Sequence, residues 1–116
     1  MNQQELKSRT KKFAIQTILI LRTFPKTKET DIISYQLIKA ASSVAANYRA
    51  CCRAKSKADF INKLKIVEEE ADECCFWLEI IQELYNENKA EFNNILNEAK
   101  ELTAIFTSAG KTAREK

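Results

Sequence analysis

The sequence predicts an all-α fold, an up-down-up-down four-helix bundle. Three observations carry that expectation. One glycine and one proline in 116 residues leave almost no turn chemistry, so few reversals and long helices are the economical arrangement. Apolar residues recur at alternating steps of three and four, and no run alternates polar with apolar at the strand period. A chain of this length has the size of one domain with one ordinary core, so residues 1–116 read as a single unit.

The first helix is expected over about 2–24. Asn2 and Glu5 stand at N-cap and N3, a relaxed capping box. The apolar positions Leu6, Phe13, Thr17, Ile20, Leu21 and Phe24 run up to Pro25, which lacks an amide donor and stops the helix. Ile15, Ile18 and Leu19 widen the stripe beyond one face, the pattern of a helix packed on two sides and a first hint of an oligomer. Lys7, Arg9, Lys11 and Lys12 put cations near the positive end of the helix dipole. Either this start is solvated and frayed, or an anionic partner offsets the repulsion.

A short basic loop, 25–29, leads to a second helix over about 30–52, with Ile33, Leu37, Ala40, Ala41, Val44 and Tyr48 on one face. The small residues at its middle let a neighbouring backbone approach closely. The third helix, about 57–86, opens on a second capping box, Ser56 with Asp59. It carries the cleanest stripe: Phe60, Leu64, Val67, Ala71, Cys74, Leu78, Ile81 and Tyr85, spaced for packing along a neighbour at a shallow angle. At 1.5 Å per residue it is ~45 Å long. With the reversal centred near Ser56, Ser43 should lie near Glu69, Asn47 near Lys65, Cys74 near Ile38, and Lys39 near Asp72 and Glu73. Asn47 sits one position off the stripe; it either pins the register through hydrogen bonds or serves a ligand. Phe76 and Trp77 flank the stripe, so one of them should point away from the core. The fourth helix, about 88–109, is expected to start at Asn88 with Glu91 at N3 and to bury Phe92, Ile95, Leu96, Ala99, Leu102, Phe106 and Ala109. Gly110 would then be its C′ residue, and 110–116 a disordered polar tail.

Charge is segregated along the chain. Met1 to Ile66 holds fourteen Lys/Arg against four Asp/Glu, Val67 to Ala99 one lysine against ten acids, and the last seventeen residues four bases against two acids. Such a division serves an anionic partner or neutralises itself between helices or subunits. The cations Lys7, Arg9, Lys11, Lys12, Arg49, Arg53, Lys55, Lys57 and Lys63 are the candidates for nucleic-acid contact. No aromatic stands among Arg49, Arg53, Lys55 and Lys57 at the reversal, so contact is expected at the phosphate backbone and should depend strongly on salt. Asn47, Glu69, Glu70, Glu73 and Trp77 are the candidate structural or subunit-facing residues.

Chemistry finds little support. The chain has no histidine, no glycine-rich phosphate loop and no nucleophile–base pair. The acidic run Glu68 to Glu70 with Asp72 and Glu73 lacks the Glu-x-x-His pairs of a di-iron bundle. Four cysteines in two adjacent pairs do not have zinc spacing. They read as reduced core or boundary residues, with redox sensing as the alternative. No enzyme activity, metal, cofactor or small-molecule substrate is therefore expected. No apolar stretch approaches the ~20 residues of a membrane span, and the polar start lacks a signal peptide's core; the cytoplasm is the expected address.

Ser42-Ser43-Val44-Ala45-Ala46-Asn47-Tyr48-Arg49, followed by Arg53-Ala54-Lys55-Ser56-Lys57-Ala58-Asp59-Phe60 and Val67-Glu68-Glu69-Glu70-Ala71-Asp72-Glu73, resembles the 23S rRNA intervening-sequence protein family. Phe24-Pro25 and Phe76-Trp77-Leu78-Glu79 fit as well, so the likeness spans about Phe13 to Tyr85. Many members read Asn-Ile-Ala-Glu-Gly where this chain has Asn47-Tyr48-Arg49-Ala50-Cys51, so no role tied to that glutamate carries over. The resemblance implies a left-handed bundle, assembly as a homopentamer and no enzymatic activity. The related accessory protein of diversity-generating retroelements adds, by analogy, binding of nucleic acid and of an RNA-associated protein. A protein-binding pentameric scaffold without nucleic acid is the alternative.

Overall fold

Local signals place the helix starts. The structure, a computed structural model, describes residues 1–116 as α1 (Gln3–Leu21), α2 (Lys28–Cys51), α3 (Lys57–Leu84) and α4 (Ala90–Glu115). At α1 the Asn2 side chain accepts from the Glu5 amide at 2.8 Å and donates to the Glu5 carboxylate at 2.9 Å. At α3 the Ser56 hydroxyl accepts from the Asp59 amide at 3.1 Å. Both boxes stand where the sequence places them. The structure differs at α2, which begins two residues early because the Thr27 hydroxyl accepts from the Thr30 amide. Asn88 is not a cap either. α4 has Lys89 at its N-cap position without a side-chain cap, and the Glu87 carboxylate accepts from the amides of Asn88 and Lys89.

The ends differ more. α1 stops at Leu21, three residues short of the expected end. The amides of Arg22, Thr23 and Phe24 instead reach back three residues in a tightening turn before Pro25. α3 closes on Asn86, the one non-glycine residue with positive φ, at 47°. Its amide donates to the Glu83 carbonyl and the next amide, of Glu87, to that of Gln82, the paired bonds of a Schellman motif. Gly110 is not a C′ residue. It has no positive φ, α4 continues to Glu115, and the expected disordered tail is helix.

The helices run antiparallel to their chain neighbours in a body of 46 × 23 × 20 Å, α1 beside α2, α2 beside α3, α3 beside α4, with α4 closing back on α1. Phe13, Leu37, Val44, Leu64, Val67, Leu78, Phe92, Leu102 and Phe106 form the fully buried centre. Each such side chain is worth roughly 1.5–3 kcal/mol of transfer free energy. Two threonines of α1 are also sealed in. Thr10 and Thr17 donate to the carbonyls of Leu6 and Phe13, one turn back, and so carry no unmet polar group into the core. At one end Phe24 meets Tyr85 and Phe92 at ring distances of 5.2 and 5.9 Å, and the Tyr85 phenol hydrogen-bonds the buried Thr30 hydroxyl. No helix is long and apolar enough to cross a membrane.

Candidate nucleic-acid interface

Antiparallel connection brings four termini together at one pole: the start of α1, the end of α2, the start of α3 and the end of α4. The α2–α3 reversal supplies Arg49, Arg53, Lys55 and Lys57, all exposed. The extra turns of α4 add Lys111, Arg114 and Lys116, exposed as well. These three are functional candidates that the sequence reading misses, because it ends the helix at Gly110. The signal is nevertheless present: Ala113 repeats Ala109 at i+4, so the small apolar side of α4 continues past the glycine and meets Phe60 and Lys57 on α3. Lys11 and Lys12 lie further down α1 and are exposed, while Lys7 is half-buried. The opposite pole mixes Arg22, Lys26, Lys28 and Lys89 with Glu29, Asp31, Glu79, Glu83, Glu87 and Glu91. The charge division seen in sequence thus becomes an axial one.

Two of the nine predicted cations are engaged by the chain itself. Arg9 is gripped by α4: Nε donates to Glu98 Oε2 at 2.7 Å, Nη2 to Glu98 Oε1 at 2.7 Å, and Nη2 also lies 2.7 Å from Glu101 Oε1. Glu98, and then Glu101, hold its guanidinium pKa above the ordinary value. Lys63 pairs with Asp59 at 2.5 Å within α3. Lys63, followed by the Lys55 amide that Asp59 also accepts, keeps that carboxyl below the usual range. Arg49, Arg53, Lys55, Lys57, Lys7, Lys11 and Lys12 form no side-chain ion pair within the chain. An array of unpaired, exposed cations at one pole is suited to anionic groups approaching from several angles, phosphates among them.

The subsidiary positions sort differently. Asn47 does not cross to α3; its Nδ2 donates to the Ser43 carbonyl at 2.9 Å and hydroxyl at 2.7 Å, a bond within α2 that leaves register to the apolar stripe. Lys39 forms no pair with Asp72 or Glu73. It acts instead on Glu70, whose carboxyl burial raises above its ordinary value and the Glu73 charge raises further, with Lys39 and the Ser43 hydroxyl opposing. Glu69 is exposed. Trp77 Nε1 donates to Glu73 at 3.1 Å and its ring packs on the core, while Phe76 stands 53% exposed. Phe76 is therefore the aromatic that points outward.

All four cysteines are free thiols. Cys51 Sγ donates to the Phe60 carbonyl at 3.6 Å, and burial pushes its thiol up to about 11. Burial raises Cys74 and Cys75 too. A thiol held protonated at neutral pH is a poor nucleophile and a poor soft-metal ligand.

Comparison with known proteins agrees with the four-helix fold. A family model described as 23S rRNA-intervening sequence protein matches residues 2–108. Among solved structures, a crystal structure of a protein of unknown function from the S23 ribosomal protein family of Bacteroides thetaiotaomicron VPI-5482 superposes with a TM-score of 0.81 at 28% identity, over 90% of this chain and 97% of that one. No curated protein matches the chain.

Proposed function

The chain belongs to the 23S rRNA-intervening sequence protein family, and from that membership we propose that it is a non-catalytic, oligomeric bundle that presents a basic pole to RNA. One observation carries the reading: Arg49, Arg53, Lys55, Lys57, Lys111, Arg114 and Lys116 converge from three helices and none is ion-paired within the chain. Such a surface binds phosphates through counterion release, without reading sequence. The non-catalytic part is supported by the burial of three of the four thiols and by the lack of any histidine to serve the carboxylates as a partner base. Four free cysteines suit a reducing compartment, and we place the protein in the cytoplasm.

The test is RNA retention by the full chain with Arg49, Arg53, Lys55 and Lys57 reversed to glutamate together. Retention should fall to background. Unchanged retention after that reversal, repeated with Lys7, Lys11 and Lys12, sinks the reading.

A second reading is favoured by a separate observation. α1, α2 and α3 expose large apolar residues (Ile15, Leu19, Ile32, Tyr35, Ile66, Phe76 and Leu84), and α4 exposes none. Surplus apolar surface on three sides of a bundle fits packing against copies or partners. In a homopentamer, the assembly the resemblance implies, the acidic side of α3 in one copy would meet cations of the next across a heterologous interface that closes by rotation. The protein is then a scaffold, and high salt dissociates the assembly instead of releasing RNA.

A further inference from the structure

The three best-defined grooves on the surface differ in charge. The α1–α4 groove at Leu19, Ile20 and Ile95 carries Glu91, and the α3–α4 groove at Cys75 and Phe76 carries Asp72 and Glu79. The third, about 440 Å³, lies between the first turn of α3 and the last two turns of α4. Lys57 and Lys116 stand on its rim, Phe60, Ala109 and Ala113 make an apolar floor and wall, Thr112 contributes a hydroxyl, and no acidic residue lines it. Its volume falls in the ~300–1,000 Å³ range of small-molecule sites. The groove at Phe76 also holds a cation, Lys100, but sets it against Asp72 and Glu79; only the third of these grooves combines cations with an aromatic ring and no carboxylate.

That combination is the recognition chemistry of single-stranded nucleic acid: a π-face for a base and cations for the phosphates on either side. Phe60 stands between Lys57 and Lys63 in the sequence; what the fold adds is α4, which brings Ala109, Ala113 and Lys116 to the same groove. We propose that this groove accepts one unstacked base of single-stranded RNA, with the ring of Phe60 against the base and Lys57 and Lys116 on the flanking phosphates. This deepens the RNA reading above and rests on it. Arg53 and Lys55, exposed on the adjoining reversal, extend the phosphate track away from the groove. A duplex keeps its bases stacked inside and cannot fill the site, so the groove confers a preference for single strands on a pole that would otherwise bind either form.

The experiment measures binding of the full chain to a fluorescent single-stranded RNA containing 2-aminopurine and to the same sequence as a duplex. The single strand should bind tighter, with the 2-aminopurine signal changing on binding. Phe60→Leu should weaken the single strand about 5- to 150-fold, the range of one lost base stack, and leave the duplex unchanged. Because Phe60 also touches the core, Ala113→Glu is the companion variant: it puts a carboxylate into the groove from an exposed helix end and should abolish the same preference. If wild type binds both RNAs equally and neither variant discriminates, while reversal of Arg49 and Arg53 still removes binding, the groove proposal is wrong and the RNA reading stands. If wild type binds neither RNA, both fail. If a labelled acidic, phenylalanine-containing peptide is displaced by Ala113→Glu while RNA binding is not, the groove belongs to a protein partner and the proposal is overturned.

Discussion

At the residue scale the cation shared by two helices, the half-buried carboxylate and the thiols make distinct predictions. Arg9 bridges α1 and α4, helices 89 residues apart at the contact with Glu98, through a planar fork that a single ammonium cannot reproduce. Arg9→Ala should cost about 1–2 kcal/mol in urea denaturation, above the usual surface pair because both side chains are mostly covered. Arg9→Lys should recover less than half. A loss below ~0.3 kcal/mol would mean that the seam between α1 and α4 is held by apolar packing alone. Glu70 is raised by burial and by Glu73, so its proton is held more tightly in the folded than in the unfolded chain. Its favourable contribution is present at low pH and is lost as pH rises through the folded pKa. Glu70→Gln should therefore raise stability at pH 7 and give no gain near pH 4, a crossover readable from two denaturation series. Among the thiols, Cys52 is half-buried and the other three are buried, so alkylation of the native protein should modify Cys52 first.

At the element scale the decisive residue is Gly110. It lies inside α4 in ordinary helical geometry, and a Cβ there would meet only Arg114 Nη1 at 3.3 Å, the end of a flexible side chain. Gly110→Ala should stabilise the protein by ~0.5–1 kcal/mol by limiting the unfolded chain. Had the helix ended there in left-handed geometry, the same change would destabilise, so the sign of a melting-temperature shift separates the two arrangements. This element also shows what was legible in the sequence. Strong periodicity gave the four helices and the buried sides of each, and Asn2 and Ser56 announced their own starts through carboxylates three residues on. Thr27 was harder to see, since its box closes on Thr30, which turns its hydroxyl toward Tyr85. Glycine after an apolar run is a usual helix stop, and only the contact of Ala109 and Ala113 with the Phe60 groove explains why this one is not. The pairing of Arg9 with Glu98 depends on the closure of α4 onto α1, which no local pattern encodes.

At the scale of the whole molecule, four parallel-lying rods turn a division of charge along the chain into a division along an axis. That axis is why cations from α2, α3 and α4 share a pole although more than fifty residues separate Lys57 from Lys111 in sequence. The listing of basic residues was legible from composition; their convergence, and the removal of Arg9 and Lys63 from the free set, follow only from packing. Apolar residues exposed on α1, α2 and α3 are a second whole-molecule property, and in the oligomer proposed above they are the surface that association would bury. Tyr35→Glu with Phe76→Glu, at positions 65% and 53% exposed, should lower the oligomeric state in light scattering while leaving the helical circular dichroism unchanged, since neither side chain supports the core. An unaltered mass would locate association elsewhere.

The most direct measurement of the central claim is size-exclusion chromatography with light scattering, recording absorbance at 260 and 280 nm, across about 50 to 200 mM salt where phosphate contacts weaken steeply. The account predicts an assembled protein that carries nucleic acid at the lower salt, releases it at the higher while keeping its mass, and loses it at both when Arg49, Arg53, Lys55 and Lys57 are reversed. An assembly free of nucleic acid at the lower salt that falls apart at the higher would contradict it, and would assign the basic pole to contacts between subunits.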